Sequence, residues 1–228
     1  LIYISTYFTN DFAKFFKELE KNNNKDWFDA NRKRYDDSVK KPFSKFMTAI
    51  ADELQKVYPK SSMRDNIKTF RINRDIRFSK DKTPYKIHMA AMVSPVDKKD
   101  MTSPGFYIQA NHNDIRVYSG VYMPDKDQLE AVRDHIKDNL KEFDKLINDK
   151  AFKSTFGGVL GEKNKRLPQE YQEAAEKQPL LYNKGFYWFF KLPSKELTSD
   201  KLVKTLVDNY KKAMPLNTFF DKALGIKH

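Results

Sequence analysis

Residues 70–93 read FRINRDIRFSKDKTPYKIHMAAMV, and the apolar pattern of this stretch marks a change from helix to strand. Apolar residues take alternate positions over most of 70–78 and again over 85–93. A period of two is typical of strands with one buried face. Before Pro59, apolar residues are instead spaced by three and four, as in amphipathic helices. The change of period predicts helices first and a sheet after them.

The N-terminal side is predicted to be helical. Phenylalanine and leucine side chains follow helical spacing over 10–19, and three consecutive asparagines then interrupt the pattern. The last of these, Asn24, is typical of a residue that caps a following helix through its side-chain amide. That helix continues through Pro42, which fits the first turn of a helical segment.

The C-terminal side contains both strands and helices. Segments 106–110 and 115–122 predict a hairpin, and a helix follows it. The aromatic segment 185–192 predicts a last strand buried on both faces, and Ser199 caps a final helix. The order of elements predicts an α+β fold, in which a mostly antiparallel sheet of four to six strands is flanked by N-terminal and C-terminal helices. We expect a single domain over residues 1–228.

The composition excludes several kinds of site. The chain has 228 residues, a net charge of +12 and no cysteine, so it has no disulfides, thiolate nucleophiles or iron–sulfur clusters. Its four histidines are dispersed and no glycine-rich phosphate loop is present, so we expect no metal and no cofactor. No apolar run approaches the ~20 residues of a membrane span, and no signal peptide is visible. We therefore expect no membrane partner and a cytoplasmic location.

Half of the net charge lies in one short window, Lys60–Lys86. This window has nine basic and three acidic residues, which gives +6. Strand alternation places Arg71, Asp75 and Arg77 on one polar face, with neighbours about 7 Å apart. Two guanidinium groups beside a carboxylate suit a planar anion, and Asp75 would orient an arginine or accept a proton.

Arg74 shares its parity with the apolar residues of the same predicted strand. A buried guanidinium without a partner is too costly to persist. Either a bulge turns Arg74 outward to the rim, or it meets an acid from the N-terminal helices. We favour the bulge or rim position, because bulges often redirect side chains beside sites. The candidate helix acids are Asp29, Asp36 and Asp37.

The second predicted strand and the N-terminal helices supply the remaining candidates. Lys86 and His88 share a strand face, and His88 is the one histidine placed there to carry a proton. The catalytic candidates are therefore Asp75 and His88, without an assigned reaction. A helix carrying Asn31 and Arg32 would form one wall of the cleft. The predicted ligand-binding residues are Arg71, Arg74, Arg77, Lys82, Lys86, Tyr85, Asn31 and Arg32.

The arginine-rich segment Arg71–Lys86 resembles the signature of a bacterial and fungal family called domain of unknown function 2461. The run Asn23–Arg32 resembles that family's other marked segment, and two shorter stretches, Pro104–Tyr107 and Lys165–Pro168, are also similar. The resemblance extends over nearly the whole chain. The resemblance implies a bacterial protein that consists of a single domain. It implies no activity, because the family is uncharacterised.

Three functions remain open from the residues alone. The first is a domain that binds a small anion (phosphate, nucleotide or carboxylate) in an arginine-rich cleft, with or without enzymatic activity. The second is a nucleic-acid-binding module, for which the pI of about 9.5 and the strand tyrosines are typical. The third is an interaction domain in which the arginine motif is an internal ion-pair network. The positions and partners of the arginines distinguish these hypotheses.

Overall fold

The computed structural model describes residues 6–96 and 103–227. Within these ranges it has the predicted α+β fold, with an open five-stranded antiparallel sheet. Helices precede the first strand, lie between the fourth and fifth strands, and follow the fifth strand. The helices are α1 Asn10–Lys21, α2 Lys25–Ala30, α3 Arg32–Tyr35, α4 Lys41–Gln55, α5 Lys126–Asp138, α6 Leu140–Ile147, α7 Lys150–Phe156, α8 Gln169–Lys177, α9 Leu202–Lys211 and α10 Met214–Ala223. The strands are β1 Ile67–Thr69, β2 Met89–Val93, β3 Phe106–Ala110, β4 Asp114–Val121 and β5 Phe186–Pro193.

The N-terminal helices form where the sequence predicts them. The hydroxyl of Thr9 accepts a hydrogen bond from the backbone N–H of Asp11 at the start of α1. The four apolar residues that define the α1 stripe are completely buried. Asn24 caps α2 by accepting a hydrogen bond from the Trp27 backbone N–H at 2.9 Å. A π-helical turn, Asp36–Lys40, joins α3 to α4 and keeps the chain helical up to Gln55.

The strands lie in the order β1-β2-β3-β4-β5. β1 and β2 pair antiparallel, with Lys68 opposite Met92. The predicted hairpin is confirmed as β3 and β4. The prediction that the last strand is buried on both faces is wrong, because Tyr187 and Phe189 of β5 are only half-buried. Phe186, Trp188 and Phe190, which alternate with them, are buried, so β5 alternates like a strand with one covered face.

The predicted strand over 70–78 is also wrong. The regular strand ends at Thr69, and residues 70–88 form a long excursion held by an isolated bridge between Asn73 and Tyr85. The second predicted strand accordingly begins at Met89, not at 85. The proline of this segment has no N–H to donate to a neighbouring strand. The polar side chains of the segment also form hydrogen bonds with one another and with the local backbone, which compete with strand pairing. Phe78, predicted to face inward, is 96% exposed.

The described chain divides into two compact units. The first comprises residues 6–93, 107–117 and 191–207, and its core is the cluster of aromatic side chains from α1 and α4. The second comprises residues 94–96, 103–106, 118–190 and 208–227, and Trp188 packs on Phe220 in its core. The single domain over the whole chain stays a prediction. Among the described residues, no helix is long and apolar enough to cross a membrane.

Candidate anion-binding surface

Arg74 holds together the excursion that carries the arginine motif. Its guanidinium Nη1 contacts the Asp81 carboxylate and the Thr83 hydroxyl, and it also donates to the Thr83 carbonyl at 3.2 Å. Nη2 reaches the Ser79 hydroxyl at 3.4 Å. Arg74 is half-buried at the rim of the excursion, and its acid partner is Asp81, so the alternative of a helix carboxylate as partner is wrong. An acid seven residues away on the same loop is sufficient to satisfy the guanidinium.

Asp81 and Lys82 close the same loop. Hydrogen bonds from the backbone N–H and the hydroxyl of Thr83, with the Arg74 pair, lower the pKa of Asp81 to about 2. Asp81 is therefore ionised throughout the neutral range, so its negative charge is always present to pair with Arg74. The Lys82 ammonium donates to the Ile76 carbonyl at 2.9 Å. Residues 74–83 thus form a loop fixed by its own side chains.

Asp75 and Arg77 form an exposed bidentate pair. Arg77 donates to the two Asp75 carboxylate oxygens, from Nε at 3.0 Å and from Nη2 at 2.7 Å. These bonds, and more weakly the charge of Arg71, lower the pKa of Asp75. A carboxylate of lowered pKa is a weaker base, so of the two predicted roles the geometry favours orientation of an arginine.

Arg71 differs from the other two motif arginines. Its side chain is exposed, and it makes no hydrogen bond or ion pair with a described residue. Close to it lies Lys86, whose ammonium is 5.8 Å from the centroid of the Phe70 ring. Burial, and then the charge of Arg71, lower the pKa of Lys86. Two neighbouring cations therefore lie here without a hydrogen bond or ion pair to an acid in the described part of the chain.

The positive charge continues across the sheet face. The Lys68 ammonium lies 5.6 Å from the same Phe70 ring centroid, and Phe70 packs edge-on against Tyr107. Sequence reasoning missed Lys68 and Phe70 as site residues, although both belong to the same basic window. We call Lys68, Phe70, Arg71, Lys86, His88 and Arg116 the Arg71–Lys86 surface.

His88 and Arg116 form the far side of this surface. Burial, and then the charges of Lys86 and Arg116, lower the pKa of His88 from 6.5 to about 4. The imidazole is therefore neutral at pH 7. Sequence reasoning missed Arg116, which Asp114 holds through bonds of 2.9–3.1 Å. Its position on the half-exposed face of β4, in alternation with buried residues, was the available signal.

The remaining predicted residues form local contacts beside α2. Tyr85 is buried and stacks on Phe28 at 4.1 Å between ring centroids. The Asn23 side chain bonds to both the N–H and the carbonyl of Tyr85, at 3.0 and 2.9 Å. Arg32 pairs with Asp29, and the Asn31 amide donates to a carbonyl of its own helix. No described hydrogen bond or ion pair joins Asn31 or Arg32 to Arg71 or Lys86.

Among the described residues, no group of three or more histidine, aspartate or glutamate side chains is arranged to hold a metal ion. The structure thus defines an α+β protein in which Arg71 and Lys86 lie close together and form no hydrogen bond or ion pair with an acid among the described residues. A family model described as "Conserved hypothetical protein (DUF2461)" matches residues 11–219, and the chain belongs to that family. The resemblance noted in the sequence is thereby confirmed. No curated protein and no solved structure matches the chain.

Proposed function

We propose that this protein binds an anionic small molecule, with a phosphate or carboxylate group, at the Arg71–Lys86 surface. One observation supports the proposal most: Arg71 and the half-buried Lys86 lie close enough to affect each other's charge, and neither forms a hydrogen bond or ion pair with an acid among the described residues. Adjacent cations repel each other, and a bound anion removes that repulsion. Charge-assisted hydrogen bonds from guanidinium and ammonium groups are the strong form of such contacts.

The motif residues divide into two roles in this proposal. Arg71 and Lys86 contact the anion. Arg74, already bonded to Asp81 and Thr83, positions the loop beside them. Arg77 is oriented by Asp75 and stands at the exposed edge of the loop, where a larger ligand reaches it. The hypothesis of an internal ion-pair network describes Arg74 well, but it gives no role to the exposed Arg71.

The proposal is for binding, and it assigns no reaction. The Asp75 carboxylate is bonded to Arg77 and has a lowered pKa, and His88 is neutral at pH 7 with a pKa of about 4. Neither group has the pKa near the working pH that favours general acid–base catalysis.

The test is calorimetric titration and thermal unfolding with inorganic pyrophosphate, ATP and citrate. Arg71→Gln and Lys86→Gln each remove one proposed contact, and Lys177→Gln removes an exposed charge that pairs only with Glu173. Loss of a charged hydrogen bond costs about 1.5–3 kcal/mol, so we expect binding to weaken at least tenfold in the first two variants and not in the third. Absence of binding by all three ligands at low salt, or equal affinity in all variants, contradicts the proposal.

A further inference from the structure

Phe78 is the most exposed large apolar side chain in the described part of the protein. It is 96% exposed at the tip of the excursion between β1 and β2. Burying a phenylalanine side chain is worth about 1.5–3 kcal/mol, so full exposure forgoes that stabilisation. The exposed ring is therefore available to a ligand that covers it.

The loop holds Phe78 outward by its own hydrogen bonds. The Arg74 guanidinium ties the two arms of the loop together, and the Lys82 ammonium closes it on the Ile76 carbonyl. The backbone N–H of Ser79 donates to the Ile76 carbonyl at 3.3 Å and closes a backbone turn that contains Phe78. These bonds lie on both sides of Phe78, so its exposed position is fixed before any ligand arrives, which lowers the entropic cost of binding.

Cations lie beside two aromatic rings of this segment, the exposed Phe78 and the half-buried Phe70. The Arg77 guanidinium lies 5.8 Å from the Phe78 ring centroid. Lys68 and Lys86 lie at 5.6 and 5.8 Å from the ring of Phe70. Asp75 bonds to Arg77 and also feels the charge of Arg71, so it connects the loop tip to the Arg71–Lys86 surface.

We propose that Phe78 stacks on an unpaired base of a single-stranded nucleic acid whose phosphates bind Arg71 and Lys86. This inference rests on the proposed function, because the phosphates occupy the same surface, and it extends the ligand from a small anion to a strand with a phosphate at every nucleotide. Single-stranded nucleic acids present a flat π face and a phosphate at every nucleotide, which matches aromatic rings placed beside cations. An aromatic ring can stack on any of the bases, so the loop binds a strand of any sequence without base-specific hydrogen bonds.

An anionic membrane surface fits these observations less well. Phe78 is a single apolar side chain between Arg77 and Ser79, and insertion would bury one ring only. Phe70, the second aromatic, is half-buried against Tyr107 under two ammonium groups and cannot enter a bilayer. Both rings can contact bases when a single strand of nucleic acid lies across the surface.

The experiment compares a fluorescein-labelled oligothymidylate of about 15 nucleotides with an abasic strand of equal length, by fluorescence anisotropy at low salt. The variants are Phe78→Ala, Phe78→Trp and, as a matched exposed aromatic elsewhere, Tyr122→Ala. We expect Phe78→Ala to weaken binding of the base-containing strand about tenfold and to leave the abasic strand unchanged. Phe78→Trp retains binding, and Tyr122→Ala has no effect.

The outcomes separate this inference from the proposed function. If Arg71→Gln weakens pyrophosphate and both strands while Phe78→Ala changes neither strand, the inference is wrong and the proposed function stands. If pyrophosphate, ATP, citrate and both strands all fail to bind, both are wrong. If Phe78→Ala abolishes binding to phosphatidylserine vesicles and leaves the oligothymidylate unaffected, the loop is a membrane contact and the inference is overturned. Thermal unfolding of each variant verifies that it is folded.

Discussion

Protonation of His88 should destabilise the folded protein in mild acid. Burial and the charges of Lys86 and Arg116 lower the pKa of His88 from 6.5 to about 4 in the folded state. Between these values the unfolded chain binds a proton at His88 and the folded chain does not. Stability from this residue is therefore complete above pH 6.5 and is lost as the pH falls from 6.5 towards 4.

The size of the effect follows from the difference between the two pKa values. At 1.36 kcal/mol for each pKa unit, the shift from 6.5 to about 4 corresponds to roughly 3 kcal/mol. The ring is only half-buried, so solvent screening reduces this value, and we expect about 2 kcal/mol. The His88→Gln variant cannot titrate at this position and should not show this part of the acid destabilisation.

Urea unfolding at pH 7 and at pH 4.5 measures the effect in both proteins. We expect the wild type to lose about 2 kcal/mol more than His88→Gln between the two pH values. The comparison between the two proteins removes the contribution of other titrating groups. Equal losses, or an NMR titration of the wild type that gives His88 a pKa of 6.5 or above, would refute the reasoning.

Three further outcomes follow from the fold. Gly120 has a φ of +117°, and Gly120→Ala places a Cβ against the backbone of the neighbouring strand, so it should lower the free energy of unfolding in urea by about 3 kcal/mol. Gly157→Ala, at φ +78° with open space around it, should lower it by only about 1 kcal/mol. Asn23→Ala removes both bonds to the Tyr85 backbone and should cost about 1–3 kcal/mol, and an unchanged unfolding midpoint would contradict this. Arg74→Met should speed amide hydrogen exchange in residues 74–83, without faster exchange in α4, and equal exchange in the loop would show that Arg74 does not hold it.

The helices and the β3–β4 hairpin could be predicted because their residues follow one clear period. The α1 stripe is buried as its spacing indicates, and Asn24 caps α2 as its residue type indicates. The alternation of 70–78 had the same form, yet the regular strand ends at Thr69 and only an isolated bridge between Asn73 and Tyr85 follows it. Local hydrogen bonds of Asp75 and Asp81 compete with strand pairing, and a period of two does not report them.

The candidate site was predictable in its charge and less so in its geometry. The basic window contains Arg71 and Lys86, which the structure leaves without an acid partner among the described residues. The partner of Arg74 depends on the turn that brings Asp81 back to it, and strand parity gave no sign of that turn. Arg116 comes from a distant strand, and only the fold brings it near His88.

The pKa of His88 in the presence of pyrophosphate is the most direct test of anion binding at the Arg71–Lys86 surface. Burial, and then the charges of Lys86 and Arg116, hold this pKa low, and a bound anion opposes the effect of the two charges. In an NMR titration of the imidazole with saturating pyrophosphate, we expect the pKa to rise clearly in the wild type and much less in Arg71→Gln. If calorimetry shows pyrophosphate bound while the pKa of His88 stays at its ligand-free value, the anion binds elsewhere and the proposed function of this surface is contradicted.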